Sequence, residues 1–169
     1  HDQRHRVLRL RLNGCEFVID ALLGTGVTRP IEGELAQLLK QVSAGLAERA
    51  AIMGDEHKQS LGTADWPVLT RVNPVSAPVQ KAPRPQVIAV DCPSGLNCDD
   101  GSVDSLTLTA DMTVTFGGPK QGHFIFPGAA VVGEMVVVDI GIGPQLSAAQ
   151  EAPLELATAG QVSAFLPQR

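Results

Sequence analysis

Tyrosine is absent from these 169 residues, and aromatic residues make up only 4%. So sparse an aromatic content gives no stacking platform for single-stranded nucleic acid. A positive excess is missing too. The formal charge is −5, so nothing draws the chain electrostatically to a phosphate backbone. The basic run Arg4, Arg6, Arg9 and Arg11 is interleaved with Val7, Leu8, Leu10 and Leu12. It reads as an edge strand or short helix with a solvated face. No apolar stretch approaches the roughly 18 residues of a membrane span, and no signal peptide is visible. Neither a nucleic acid nor a membrane is therefore expected as a partner. Cysteine is scarce as well. An odd set, Cys15, Cys92 and Cys98, without framework spacing predicts reduced thiols and a cytoplasmic setting. Cys92 and Cys98 are six apart with no further ligands at zinc spacing. A Gly-Lys-Ser/Thr triplet occurs nowhere, which excludes a Walker A loop.

What remains is the composition of an ordinary globular domain, 44% hydrophobic and 18% charged. Apolar runs predict strands over Glu16–Leu23, Gln86–Val90 and Met135–Ile140, and the β-branched Met112–Phe116 predicts another. Between the first two, Leu35, Leu38, Leu39, Val42 and Leu46 recur at helical spacing and predict an amphipathic helix. Glu32 and Glu34 suit its positive end. From about Ala50 to Arg84 the pattern dissolves among prolines and polar residues, which predicts an inserted surface loop. Residues 147–156 have linker composition, and 158–167 predict a short helix stopped by Pro167. Strands alternating with helix predict an α/β fold whose parallel sheet carries helices on its faces. In such sheets ligands bind beyond the carboxyl ends of the strands.

Three segments follow those ends. Gly24-Thr25-Gly26-Val27-Thr28-Arg29-Pro30 follows the first strand. Its glycines let backbone amides approach an anion, and Arg29 supplies a guanidinium suited to phosphate. It lacks the third glycine of a dinucleotide fingerprint, and a plain strand-to-helix turn is the other reading. Asp20 ends an apolar strand, where a carboxylate is costly unless paired, protonated or metal-bound. It either caps the following loop or serves as an oxygen ligand for a hard cation. Asp91-Cys92-Pro93-Ser94-Gly95 repeats the theme, as a polar site or an Asx-type turn. It is not the Gly-x-Ser-x-Gly elbow of a hydrolase. Lys120, in Gly118-Pro119-Lys120-Gln121-Gly122, faces a phosphate, neutralises the acids or is solvated.

Five blocks in this order resemble the YjeF N-terminal family, the NAD(P)H-hydrate epimerases. They are Val18-Ile19-Asp20-Ala21-Leu22-Leu23-Gly24-Thr25-Gly26, Ala89-Val90-Asp91-Cys92-Pro93-Ser94-Gly95-Leu96, Ala110-Asp111-Met112-Thr113-Val114-Thr115-Phe116, Pro119-Lys120-Gln121-Gly122 and Val138-Asp139-Ile140-Gly141-Ile142. The resemblance implies a Rossmann-like three-layer α/β fold and interconversion of the R and S forms of hydrated NADH and NADPH. It implies a potassium ion with Asp20 and Ser94 as ligands. It also implies substrate contacts from Gly24, Thr25, Gly26, Val27, Thr28, Arg29, Pro30 and Asp91. Asp91 is the candidate proton acceptor and donor. The family's earlier Asn-Asn-Gly-Gly-Asp-Gly loop does not occur in these residues, and the chain opens at His1. The expectation is a partial, N-terminally truncated domain over 1–146 with an insertion at 50–84. Residues 147–169 then form a linker and the start of a fused ADP-dependent dehydratase domain. A homo-oligomer is compatible with the sequence. The alternatives are a non-catalytic binding or scaffold module of the same fold, an inactive fragment, or an unrelated nucleotide-binding domain.

Overall fold

The computed structural model describes residues 2–53, 68–72, 84–141, 157 and 159–165. Its elements are α1 (Asp2–Gly14), β1 (Phe17–Asp20), α2 (Gly33–Met53), β2 (Val68–Val72), β3 (Gln86–Val90), β4 (Met112–Phe116), β5 (Glu134–Val138) and α3 (Ala159–Phe165). Two short 3-10 turns, Gln121–His123 and Gly128–Ala130, lie between β4 and β5. The strands form one sheet in the order β1-β3-β4-β5-β2. The β1–β3, β3–β4 and β4–β5 pairs are parallel. β2 closes the far edge antiparallel to β5. This is the α/β architecture expected from the apolar runs.

One element differs from the sequence expectation, and another settles an open choice. The basic stretch before β1 is helical, one of the two readings its residues left open. Its arginines alternate with aliphatic residues, but Leu8 and Leu12 fall four apart and pack against α2. The stretch read as an irregular insertion at 50–84 holds two regular pieces. α2 runs on through Ala50 and Ala51 to Met53, and the β-branched segment Val68–Val72 pairs with β5. The flanking prolines and polar residues concealed this short edge strand. The 147–156 linker expectation lies outside the described residues.

One face of the sheet is covered. Ala36, Leu39, Val42 and Leu46 of α2 pack with Leu12, Val87, Ala89, Leu108 and Ala110 in the main core. α1 lies against α2 so closely that a Cβ at Gly45 would stand 2.7 Å from Leu12 Cδ1. Arg49 fixes that packing. Its guanidinium donates to the carbonyls of Leu12 (2.7 Å) and Cys15 (2.8 Å) and so satisfies the open end of α1. On the opposite face Phe17 and Ile19 are exposed, and Ile88, Met112 and Val114 are half-buried.

The amino ends of the central strands are tied by a different device. Asp111, just before β4, receives both guanidinium nitrogens of Arg84 (2.8 and 3.1 Å) and the Val87 amide (2.7 Å). A bidentate pair of this kind sets geometry as well as energy. It holds β3 against β4 and leaves the carboxyl ends of the strands to the candidate site.

Candidate functional site

Asp20 is the last residue of β1, and the period-two alternation of the strand turns its side chain inward. It is 2% exposed. Its carboxylate accepts the Ser94 amide at 2.8 Å through Oδ2 and the Ser94 hydroxyl at 2.5 Å through Oδ1. The Ser94 Oγ in turn accepts the Leu23 amide at 3.0 Å. The buried carboxylate thus ties the turn after β3 to the loop after β1. The two residues read separately in the sequence form one polar unit. Its contact to its own loop is weak, with Leu22 N–H at 3.5 Å.

Asp91 has a different environment. Pro93 prevents β3 from continuing, and Asp91 takes a positive φ of 68°, a conformation that β-branched and bulky residues avoid. Its Oδ1 accepts hydrogen bonds from Lys120 Nζ and from the Thr115 hydroxyl (2.9 Å), with the Phe116 amide at 3.4 Å. Lys120 Nζ also donates to Thr115 Oγ1 at 2.7 Å. Partial burial pushes the Asp91 carboxyl up. The hydrogen bonds from Lys120 and Thr115, the Lys120 charge and the Phe116 amide outweigh it and hold the group below the ordinary carboxylate value. The ionised form of Asp91 is therefore favoured, with Lys120 as its ion-pair partner. Of the three roles open to Lys120, the structure selects neutralisation of an acid.

The loop 24–30 stands beside this turn. Gly24 and Gly26 have no positive φ, and a Cβ at either would meet nothing within 4 Å among the described residues. Neither the backbone nor the packing of the described residues requires them, so both glycines leave open space at the loop surface. Gly24, Thr25, Gly26, Thr28, Arg29 and Pro30 are exposed and Val27 is half-buried. The far end of the loop is fastened by Asp104, whose carboxylate accepts the amides of Ile31 (2.9 Å) and Leu106 (2.8 Å). The Asp104 amide donates to Gly95 O at 3.0 Å, which links the loop to the Ser94 turn. Gly95 is required where it stands. Its φ is +99°, and a Cβ would fall 2.3 Å from Thr107 Oγ1.

Sequence reasoning did not single out Asp104 or Thr115. Each acts on a residue far away in the chain, and no local spacing marks it. No cluster of three or more His, Cys, Asp or Glu side chains suited to a metal occurs among the described residues. The oxygen pair Asp20–Ser94 remains as the candidate ligand set for a hard cation.

A five-strand α/β sheet with an Asp–Ser tie and an Asp–Lys pair at its carboxyl edge can be compared with known proteins. The model of the YjeF-related protein N-terminus matches residues 2–122. The chain belongs to this family. Among curated relatives, an NAD(P)H-hydrate epimerase of Limosilactobacillus fermentum is 31% identical over 128 residues, 76% of this chain and 43% of the relative. An NAD(P)H-hydrate epimerase of Clavibacter michiganensis is 47% identical over 88 residues, 48% of this chain and 38% of the relative. A bifunctional NAD(P)H-hydrate repair enzyme of Thermofilum pendens is 30% identical over 136 residues, 80% of this chain and 19% of the relative. The chain thus spans less than half the length of these relatives. All the candidate site residues of the YjeF-related chain, from Asp20 to Lys120, lie inside the matched region.

Proposed function

We propose that the chain carries part of the active site of an NAD(P)H-hydrate epimerase, an isomerase that interconverts the R and S forms of hydrated NADH and NADPH. The observation that carries this reading is the ionised Asp91 paired with Lys120, in the same turn as the buried Ser94–Asp20 unit. In hydrated NADH the stereocentre carries a hydroxyl beside the ring nitrogen. Losing and regaining that hydroxyl, or opening the ring there, scrambles it. Both routes need a proton acceptor and a donor. In the ring-opening route Asp91 takes the hydroxyl proton and Lys120 gives one to the ring nitrogen. Closure on either face returns both.

The loop Gly24, Thr25, Gly26, Val27, Thr28, Arg29 and Pro30 would hold the dinucleotide phosphates. Its glycines leave room for a ligand, and Arg29 is exposed. Asp20 and Ser94 fit a potassium ion in donor chemistry, since both offer oxygen and both are buried. When bound, the ion would supply fixed positive charge at the strand ends. The bifunctional relatives support fusion to an ADP-dependent dehydratase domain. Free thiols at Cys15, Cys92 and Cys98 support a cytoplasmic setting. No helix of the described residues is long and apolar enough to cross a membrane.

The test is R/S interconversion of hydrated NADH by the chain, with and without potassium, for the parent sequence and Asp91→Asn. Potassium-dependent interconversion that vanishes in Asp91→Asn supports the proposal. Interconversion that survives in Asp91→Asn removes Asp91 from the chemistry. A non-catalytic binding module of the same fold is the second reading. Binding of hydrated NADH without interconversion would select it.

A further inference from the structure

We propose that His123 is a positioning residue for the Asp91–Lys120 pair, its buried imidazole holding the Lys120 backbone where the ammonium reaches Asp91. Its bearing on catalysis rests on the epimerase reading, whereas its bearing on the ion pair does not.

Lys120 is a demanding residue to place. A lysine carries its charge on a flexible four-carbon stem, and holding the end of that stem costs rotamer freedom. Nζ nevertheless meets three oxygens at one place: Asp91 Oδ1, Thr115 Oγ1 (2.7 Å) and Phe116 O (3.3 Å). All three lie at the carboxyl ends of β3 and β4, so the stem folds back toward the strand the chain has just left. The connection from β4 does little to enforce this. It runs through Gly117, at a φ of +70°, and Gly118, where a Cβ would meet nothing within 4 Å among the described residues.

His123 supplies the anchor. Lys120 is extended (φ −92°, ψ 152°) at the head of the 3-10 turn Gln121–His123. Its amide donates to His123 Nδ1 at 3.3 Å, and its carbonyl accepts the His123 amide at 3.1 Å. Both main-chain polar groups of Lys120 thus end on one residue. The ring is fully buried. Accepting at Nδ1 puts its proton on Nε2, and Nε2 has no hydrogen-bond partner among the described residues. A buried N–H without an acceptor costs stability that an aliphatic residue of similar size would not. The acceptor at Nδ1 is what an imidazole offers here and a leucine cannot.

The turn that carries His123 is itself fixed. The Gly122 amide donates to Cys98 O at 2.7 Å, and the Phe124 amide to Gln121 O at 3.0 Å. A Cβ on Gly122 would fall 2.3 Å from Asn97 O, so the turn lies directly on the 97–98 backbone. The imidazole stands on this base and carries its position through Lys120 to Asp91. Asp91 gives the readout. Burial raises its carboxyl, and Lys120 leads the groups that bring it below its ordinary value. The Asp91 titration therefore reports whether the ammonium is in place.

The experiment follows the Asp91 carboxyl carbon by NMR through an acid titration of the parent chain, His123→Leu, His123→Asn and Lys120→Met. His123→Leu removes the acceptor and keeps an apolar filling. Its Asp91 midpoint should rise toward the free carboxylate value of about 3.9, and Lys120→Met marks how far loss of the lysine alone carries it. His123→Asn places an amide oxygen near the position of Nδ1 and should return the midpoint toward that of the parent. The Lys120 amide should exchange about tenfold faster in His123→Leu than in the parent, as expected for one lost hydrogen bond. This pattern in a chain without interconversion would keep the proposal and remove the epimerase reading. A midpoint that moves in Lys120→Met but not in His123→Leu would overturn the proposal. So would a His123→Asn midpoint that moves as far as that of His123→Leu. A midpoint unmoved in Lys120→Met would remove the ion pair and the proposal with it. Should His123→Leu fail to fold, the parent chain decides. Long-range 1H–15N spectra locate the ring proton: on Nε2 it supports the proposal, and on Nδ1 it overturns it.

Discussion

Asp20 and Asp91 end apolar strands that are neighbours in the sheet, and a local reading of the sequence gives both the same signature. Their surroundings are opposite. Asp20 is buried and answered by a backbone amide and a hydroxyl, with no cationic side chain among its hydrogen-bond partners. Asp91 has a side chain about one quarter exposed and carries a lysine. The first arrangement binds two loops into one structure. The second holds a carboxylate against a lysine at the surface. A carboxylate at a strand end is therefore not one kind of feature. The donors that reach it decide whether it holds the fold or does chemistry.

That contrast can be broken most sharply at Asp91. Asp91→Asn should lower R/S interconversion by about 10²- to 10⁴-fold, the span of general acid–base catalysis. Its circular dichroism and thermal midpoint should stay near those of the parent. A comparable loss of activity accompanied by unfolding would erase the distinction between the two acids. Asp20→Ala should show the reverse order of effects. It strands the Ser94 amide and hydroxyl in the interior and should cost about 3 kcal/mol in urea unfolding. An Asp20→Ala protein of parental stability would show that the buried tie is dispensable.

Lys120→Met sharpens the same comparison. Removing the cation should lower interconversion about 10²-fold. It should also move the acid limb of the kcat/KM profile to higher pH, because Lys120 is among the groups that hold Asp91 down. The sign follows for stability as well. A folded-state value below the unfolded one contributes stability above the unfolded pKa of about 3.9. That contribution is lost as pH falls through the folded value. Acid titration of unfolding should show this loss in the parent and a smaller one in Lys120→Met. An unmoved acid limb would detach Lys120 from Asp91. Thr115→Val is the mildest probe. It deletes one hydrogen bond to Asp91 and should cost about 1 kcal/mol with a slight upward shift of the same limb.

The strands were legible where the run was apolar or β-branched. Gln86–Val90 and Met112–Phe116 appear with the bounds their residues suggested, because a buried parallel strand leaves little place for polar residues. The five sequence blocks were enough to reach the family. Less was visible where pairing is distant. Val68–Val72 is a strand because β5 offers it an edge, and its short β-branched run is lost among the flanking prolines and polar residues. Lys120 was seen but not assigned, since its partner lies 29 residues away. Arg84 and Asp111, 27 apart, form a bidentate polar tie at the other end of the sheet. Composition showed only an arginine after prolines and an acid before a strand.

The Asp20–Ser94 tie also bears on the order in which the chain assembles. It joins residues 74 apart, across α2 and everything between β1 and β3. Helices α1 and α2 can pack through nearer contacts, whereas this pair must wait for the long loop to close. The turn that bears Asp91 and Ser94 should therefore be completed late in folding. The Ser94 amide, shielded only once β1 and β3 are in register, should be a hydrogen-exchange reporter of that final step.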